Sequence, residues 1–462
     1  MGPAKADMSN QFRQPPRVSL AFSLLMIFFA VLWLAGGASR ADAVGQVVVR
    51  AATWLLLIVA ALFGRQPTLK DDRPVLLLLV AALLLVLIQL VPLPPPLWQA
   101  LPGRTPFVQA ALVTGEVQPW RSLAIIPYAA VNAASSLVVP FTALLLLAGL
   151  NDRERRVIPS VILILVFAEA LVGLIQLSGV HLNNPFANDT VGEVSGTFAN
   201  RNHFAVLLAV GCLIAPVWAF PEGRLVRWRG IVAAGLVLLF TLAILGSGSR
   251  AGMAVGGLAL GASILLVWQE LRVAFAQAPR WVLPVVLASG IGTICLGVLV
   301  SVVAGRAQSI TRAFDADVGS DMRSRALPTV LKMVGEYFPA GSGVGGFDPL
   351  FRLHEPFHLL KFTYFNHAHN DFLEIVLDAG LPGLILLSAA LSWWGWASWR
   401  AWRTKAKRDL LPRLGSMTLL IVLLASLVDY PARTPIMMGI VVLAATWLCP
   451  RSYEAGHRLY RR

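Results

Sequence analysis

The stretch LLLLAGLNDRERRVIPSVILILVFAEALVGLIQL, residues 144–177, sets two apolar runs on either side of the charged hexapeptide NDRERR. A helix needs about 20 apolar residues to cross the roughly 30 Å hydrocarbon core of a bilayer. Followed outward from NDRERR, each run reaches that length, and a short basic connection of this kind marks the cytoplasmic side. The rest of the chain repeats the alternation. Of its 462 residues 57% are hydrophobic and 13% charged, against roughly 25% charged in a soluble domain. A soluble protein of this composition would leave large apolar patches in water.

The fold class expected is therefore an all-α polytopic membrane protein of about 12 transmembrane helices. The spans fall near 18–37, 44–64, 74–94, 130–150, 157–177, 203–220, 231–246, 251–268, 281–304, 371–397, 414–428 and 436–450. Both termini are expected in the cytoplasm, because the short basic connections such as NDRERR and PEGRLVRWRG then share one side. The organisation that follows is a cytoplasmic tail over 1–17, spans one to nine over 18–304, a large outer loop over 305–370, spans ten to twelve over 371–450 and a second cytoplasmic tail over 451–462. The net charge of +14 then reads as anchoring against anionic membrane lipid, not as a nucleic-acid footprint. Cys212, Cys295 and Cys449 all fall in expected spans, so the outer loops carry no disulfide framework and no cysteine-based metal site.

Polar chemistry gathers on the outer side, where every histidine but His457 falls. Three clusters stand where inward-running helices begin: SGTFANRNHFA (195–205), GSGSRAG (246–252) and NHAHND (366–371). Asn200, Ser249 and Asn370 or Asp371 are suited to cap these starts, since their side chains satisfy free backbone N–H groups. Those N–H groups and the helix dipole favour an anion, and Arg201 and Arg250 add forked donors that match phosphate oxygens. Converging at one membrane surface, the three starts would make a pocket for a phosphorylated group, with Asn200 and Asn202 flanking Arg201. A histidine at its mouth, His367 or His369, could take a proton from a sugar hydroxyl near neutral pH. Glu374 or Asp378, four apart on one helix face, could orient it or bind the acceptor. Gly380, Pro382 and Gly383 then interrupt the helix before the true span.

Other patterns read as incidental. HEPFH (354–358) matches H-E-x-x-H literally, but Pro356 opposes the regular helix that motif needs. Asp315 and Asp317 read as solvated loop acids, and a zinc site built from His367, His369, Asp371 and Glu374 is the lesser reading of that cluster. Inside the bilayer, Arg50 and Glu169 stand at about equal depth, roughly 9 and 12 Å at 1.5 Å per residue, and are expected to tie two helices as an ion pair.

Four of these stretches, GTFANRNHFA, SGSRAG, PAGSGVGGF (339–347) and FNHAHNDFLEIVLDAGLPG (365–383), resemble in order and spacing the bacterial O-antigen ligase/polymerase superfamily. The likeness covers roughly 190 to 385. It implies a multi-pass protein of the inner membrane whose active site faces the periplasm, and an inverting glycosyl transfer that uses no metal or other cofactor. The donor would be a polyprenyl-pyrophosphate-linked oligosaccharide or polysaccharide. Carried over, Arg201 and Arg250 would bind the pyrophosphate with help from Arg323 and Arg325, and His369 would activate the acceptor hydroxyl. The acceptor would be a lipid-linked repeat unit, making the protein a surface-polysaccharide or exopolysaccharide polymerase. The alternatives are a ligase acting on lipid A–core or protein, and a lipid-linked glycan transporter. A transporter would place its polar site near the midplane, whereas these polar groups sit at the rim.

Overall fold

The computed structural model describes residues 18–450 apart from 181, 183, 188–191, several positions between 282 and 300, 301–321, 361–364 and 405–409. Much of the expected ninth span, the first part of the large outer loop with Asp315 and Asp317, and both terminal tails lie outside the described residues.

The described residues are predominantly helical. NDRERR explains how one of its reversals is built. Helix α1 is Leu20–Ala35, α2 Val44–Phe63, α3 Arg73–Gln89, α4 Pro95–Gln99, α5 Thr105–Val113, α6 Pro127–Ser136, α7 Val138–Ala148 and α8 Asp152–Leu177. Asn151 caps α8 by accepting from the Glu154 amide at 3.0 Å, and Glu154 Oε2 accepts from the Asn151 amide at 3.1 Å, a reciprocal capping box. Arg155 turns back to donate to the carbonyls of Leu150 and Ala148, at 3.0 and 3.1 Å, where α7 ends. The same Glu154 accepts from the Ser19 amide at 2.8 Å at the start of α1. A charged hexapeptide thus closes three helix ends at once.

Among the described residues six helices are long and apolar enough to cross a membrane, or seven if the bent pair 250–266 and 268–276 is one span. Four shorter apolar helices, Leu20–Ala35, Arg73–Gln89, Leu411–Ala425 and Pro435–Leu448, accompany them. An all-α polytopic membrane protein is therefore observed, with fewer full-length spans among the described residues than the twelve expected. Several apolar runs fold into helices of 17 residues or fewer, because proline or a capped turn ends them early. The span expected at 130–150 is among the six, running over 127–148 as two consecutive helices, α6 and α7.

Helix α9, Arg201–Ala219, is the centre of the bundle, with 16 of its 19 residues buried. Its sequence is apolar all round, the pattern of a helix surrounded by protein. Helices α8, α10 (Arg227–Gly246) and α11 (Arg250–Leu266) pack round it. Small residues let them approach: a Cβ on Gly252 of α11 would lie 2.3 Å from the Cβ of Ala205. Helix α12 is Trp268–Ala276.

Beyond it, α13 (Met322–Tyr337) and α14 (Phe347–His354) bury Ala326, Val330, Met333, Tyr337, Phe347 and Phe351 in a separate small core. Helix α15, Asp371–Arg403, breaks at Gly380, whose φ of 58° and ψ of −141° are not helical. Only glycine fits there: a Cβ would stand 2.0 Å from the Pro339 carbonyl oxygen. The glycine-rich segment 339–346 docks into this break. Leu381 N donates to Pro339 O, Ser342 N to Leu377 O and Gly343 N to Asp378 O, at 2.8–2.9 Å. Gln89 at the end of α3 accepts from Val344 N at 2.9 Å, and Asp378 Oδ2 accepts from Gly345 N at 3.1 Å. The chain closes with α16 (Leu411–Ala425), a short turn and α17 (Pro435–Leu448). A two-stranded antiparallel ribbon pairs Pro92 with Ser122 and Leu93 with Arg121.

The expected Arg50–Glu169 ion pair does not form. Glu169 accepts from Thr197 N and Thr197 Oγ1, at 2.6 and 2.9 Å. Arg50 donates to Asn132 Oδ1 and Gln46 Oε1, at 2.7 and 3.1 Å. Equal depth fixes one coordinate only; each group finds a partner on a closer element.

Candidate active site

The starts of α9, α11 and α15 meet at one end of the bundle. Asn200 caps α9, accepting from Asn202 N at 2.8 Å; Ser249 caps α11, accepting from Gly252 N at 2.8 Å; Asn370 caps α15, accepting from Leu373 N at 3.1 Å. Ser249 also donates to Asn202 Oδ1 at 2.6 Å, joining the first two starts. Helix α8 holds the turn leading into α9. Gln176 accepts from Ser195 N and Gly196 N, at 3.0 and 2.7 Å, and Glu169 grips Thr197 as described. Gly196, with φ +62°, is required there, since its Cβ would collide with Glu169 Oε1 at 1.9 Å.

What joins the third start is a residue that sequence reasoning missed. Asp429 lies in the turn 426–433 between α16 and α17, with its side chain 2% exposed. Its carboxylate accepts from Asn202 Nδ2 in a short hydrogen bond, from Asn200 Nδ2 at 3.4 Å, from its neighbour Tyr430 N at 3.0 Å and from Arg323 Nη2 at 3.1 Å. His203 Nε2 and His369 Nδ1 approach it to 3.4 and 3.3 Å, close enough for ion pairing but without hydrogen-bond alignment. Burial alone would raise the Asp429 pKa. Contacts with His203, His369 and Arg323 outweigh it and hold the group well below the ordinary carboxylate range.

His369 stands in a left-handed backbone conformation, φ +50°, which a non-glycine residue adopts at a cost. Burial lowers its pKa below 6.5, an effect that Asp429 opposes and Arg323 and His367 reinforce. It is thus held neutral at pH 7. His367, two residues earlier, goes to a different acid. Its Nδ1 lies 2.8 Å from Glu374 Oε1, and Glu374 Oε2 accepts from Ala368 N at 2.7 Å. Arg433, also missed, completes this second cluster: Nη1 is 3.0 Å from Glu374 Oε1 and Nε is 2.7 Å from Asp371 Oδ1. Asp371 also accepts from Ser426 Oγ at 3.0 Å. The carboxylates around Arg433 raise its pKa against the lowering effect of burial. The ring of Tyr430 packs against all three imidazoles, with centroids 4.2 Å from His367 and 4.9 Å from His203 and His369.

The arginines divide. Arg323 enters the Asp429 cluster and also donates to Val428 O at 2.8 Å. Arg201, in the first turn of α9, pairs with Glu193 at 3.1 Å. Arg250 is exposed in the first turn of α11, with no hydrogen bond or ion pair among the described residues. Arg325 turns away and donates to His358 O at 3.0 Å, so the structure does not bring it into the cluster.

Residues 234–388 match the O-antigen ligase family. That match supports the O-antigen ligase/polymerase superfamily for the chain. The matched segment carries Arg250, Arg323, His367, His369 and Glu374, while Arg201, Asp429 and Arg433 reach the site from outside it. No curated protein gives a significant match.

Two patterns resolve structurally. The amides of the glycine-rich segment 342–346 are spent on the break in α15, on Gln89 and on the segment itself, leaving no phosphate cradle there. HEPFH is not one helix, since α14 ends at His354 and Glu355 is extended. Among the described residues no group of three or more His, Cys, Asp or Glu side chains is placed to hold a metal ion.

Proposed function

We propose that the protein is a membrane glycosyltransferase that moves a glycan from polyprenyl pyrophosphate to an acceptor hydroxyl on the periplasmic side. The observation that carries this reading is a neutral, strained histidine, His369, backed by the buried carboxylate of Asp429 and set beside helix starts that bear Arg201 and Arg250. In this reading His369 Nε2 takes the proton of the acceptor hydroxyl as its oxygen bonds to the anomeric carbon. The bond from that carbon to the pyrophosphate oxygen breaks, its electron pair leaves with the pyrophosphate, and the configuration inverts. Asp429 stabilises the imidazolium formed. Arg201, Arg250 and Arg323 meet the charge on the leaving group, where electrostatic stabilisation does most of its work. Arg201 exchanges Glu193 for phosphate oxygens.

The acceptor in this reading is a second lipid-linked repeat unit, which makes the protein a polysaccharide polymerase. The ligase description of the matched family favours a second reading, transfer to lipid A–core. Purified protein in liposomes containing only the polyprenyl-pyrophosphate-linked repeat, with EDTA present, separates the two. A glycan ladder that is lost in His369→Ala supports the polymerase. Folded protein that makes no ladder but transfers once lipid A–core is added supports the ligase, and no transfer to either acceptor overturns the enzyme reading.

A further inference from the structure

Arg50 is a cation at a membrane helix without an anion. It is the seventh residue of α2, a candidate membrane span, and no carboxylate pairs with it among the described residues. Its two hydrogen bonds among the described residues go to neutral amide oxygens, Asn132 Oδ1 on α6 at 2.7 Å and Gln46 Oε1 at 3.1 Å. A guanidinium has five N–H donors, so among the described residues most remain unused, and Nε is buried with no partner there. Gln46 is itself fixed, donating to Ala38 O. With both amide oxygens turned on Arg50, what the cluster still offers is donors only.

Depth decides what could accept them. The Arg50 Cα is about 9 Å down α2 at 1.5 Å per residue. Its side chain reaches back one turn, as the bond to Gln46 shows, which brings the guanidinium to about 3 Å from the helix start. That start lies at the same end of the bundle as the candidate active site. Gly45 N donates to Phe186 O at 3.1 Å, and Ala199 N, just before α9, donates to Gly37 O at 3.2 Å. The flanking surface is apolar and open: Val47 is 66% exposed, Tyr128 73% and Val131 51%. A forked cation at headgroup level, beside an apolar face, matches a phosphate that carries a hydrocarbon tail.

We propose that Arg50, Gln46 and Asn132 form a second phosphate-lipid site, separate from the one at Arg201 and Arg250. The ligand class is a lipid phosphate of the leaflet on the active-site side. It goes beyond the glycosyl-transfer reading and does not need it, because it is read by binding alone. The test is saturation binding of fluorescent phosphatidylglycerol and, separately, fluorescent polyprenyl phosphate to the full chain in detergent micelles. Arg50→Gln is expected to weaken one class of sites about tenfold, the loss of a charge-assisted pair, with Arg50→Lys staying within about threefold. Arg201→Gln with Arg250→Gln leaves that class in place. Asn132→Leu, which removes only the neutral partner, weakens it in the same direction and serves if Arg50→Gln lowers the melting temperature. Equal binding of the two lipids assigns a general phospholipid site, and preference for polyprenyl phosphate assigns a substrate site. Unchanged affinity and stoichiometry in Arg50→Gln and Asn132→Leu for both lipids, or equal displacement by phosphate-free diacylglycerol, overturns the proposal.

Discussion

Two histidines only two residues apart end on different acids, and the two acids are held differently. Glu374 is enclosed: His367, the Ala368 amide and Arg433 fill its oxygens, and its side chain is 0% exposed. Asp429 is a junction, reached from α9, α13, the lead-in to α15 and its own turn. The first arrangement resembles a brace that fixes the lead-in; the second gathers His369, His203 and Arg323 round one buried carboxylate, the arrangement that the proposed transfer would use. Shared chemistry thus does not imply a shared role. What separates the pairs is the spread of the carboxylate's partners: those of Glu374 come from the lead-in and the turn that holds Arg433, those of Asp429 from four segments.

The contrast breaks most directly at the histidines. His369→Ala should lower transfer about 10³-fold, within the usual range for a lost general base, while donor binding persists; equal losses in His367→Ala would erase the distinction. Next, Arg433→Met leaves Glu374 and Asp371 buried without their cation. It should destabilise the protein by about 3 kcal/mol, as breaking a buried pair does, seen as a lower unfolding midpoint in detergent.

Asp429→Asn keeps the shape but removes the charge, and transfer should fall about 10²-fold. Its pH profile sharpens the comparison. A base must be neutral, and burial places the His369 pKa below 6.5, so the acid limb of kcat/KM lies below pH 6.5 with a plateau above it. Asp429 raises that pKa, so in the asparagine variant the limb moves to still lower pH. A limb that moves upward would remove Asp429 from the pair. The smallest effect is expected for His367→Ala, about tenfold, because only the brace is loosened.

Much of this arrangement was legible beforehand. Asn200, Ser249 and Asn370 announce helix starts through local capping chemistry, and Gly380 announces a break through the residues around it; both are matters of a few neighbouring residues. Asp429 and Arg433 were not found, although LVDYPARTP (427–435) sets two charges in a short turn between apolar runs. Their positions give no sign of which distant segments they meet. The Arg50–Glu169 pairing failed for the same reason. Depth along a helix can be counted in a sequence, whereas the neighbour across the bundle depends on packing.

The break at Gly380 has a consequence for the membrane itself. Past it, residues 381–403 run about 34 Å at 1.5 Å per residue, close to the roughly 30 Å of hydrocarbon in a typical bilayer. In the proposed orientation the nine residues before it, which carry Asp371 and Glu374, would stand clear of the acyl chains. The part of α15 after the break would then work as a gauge: bilayer thickness would set the height at which the histidines meet the lipid headgroups, and turnover should pass through an optimum as the acyl chains of the host liposome are lengthened.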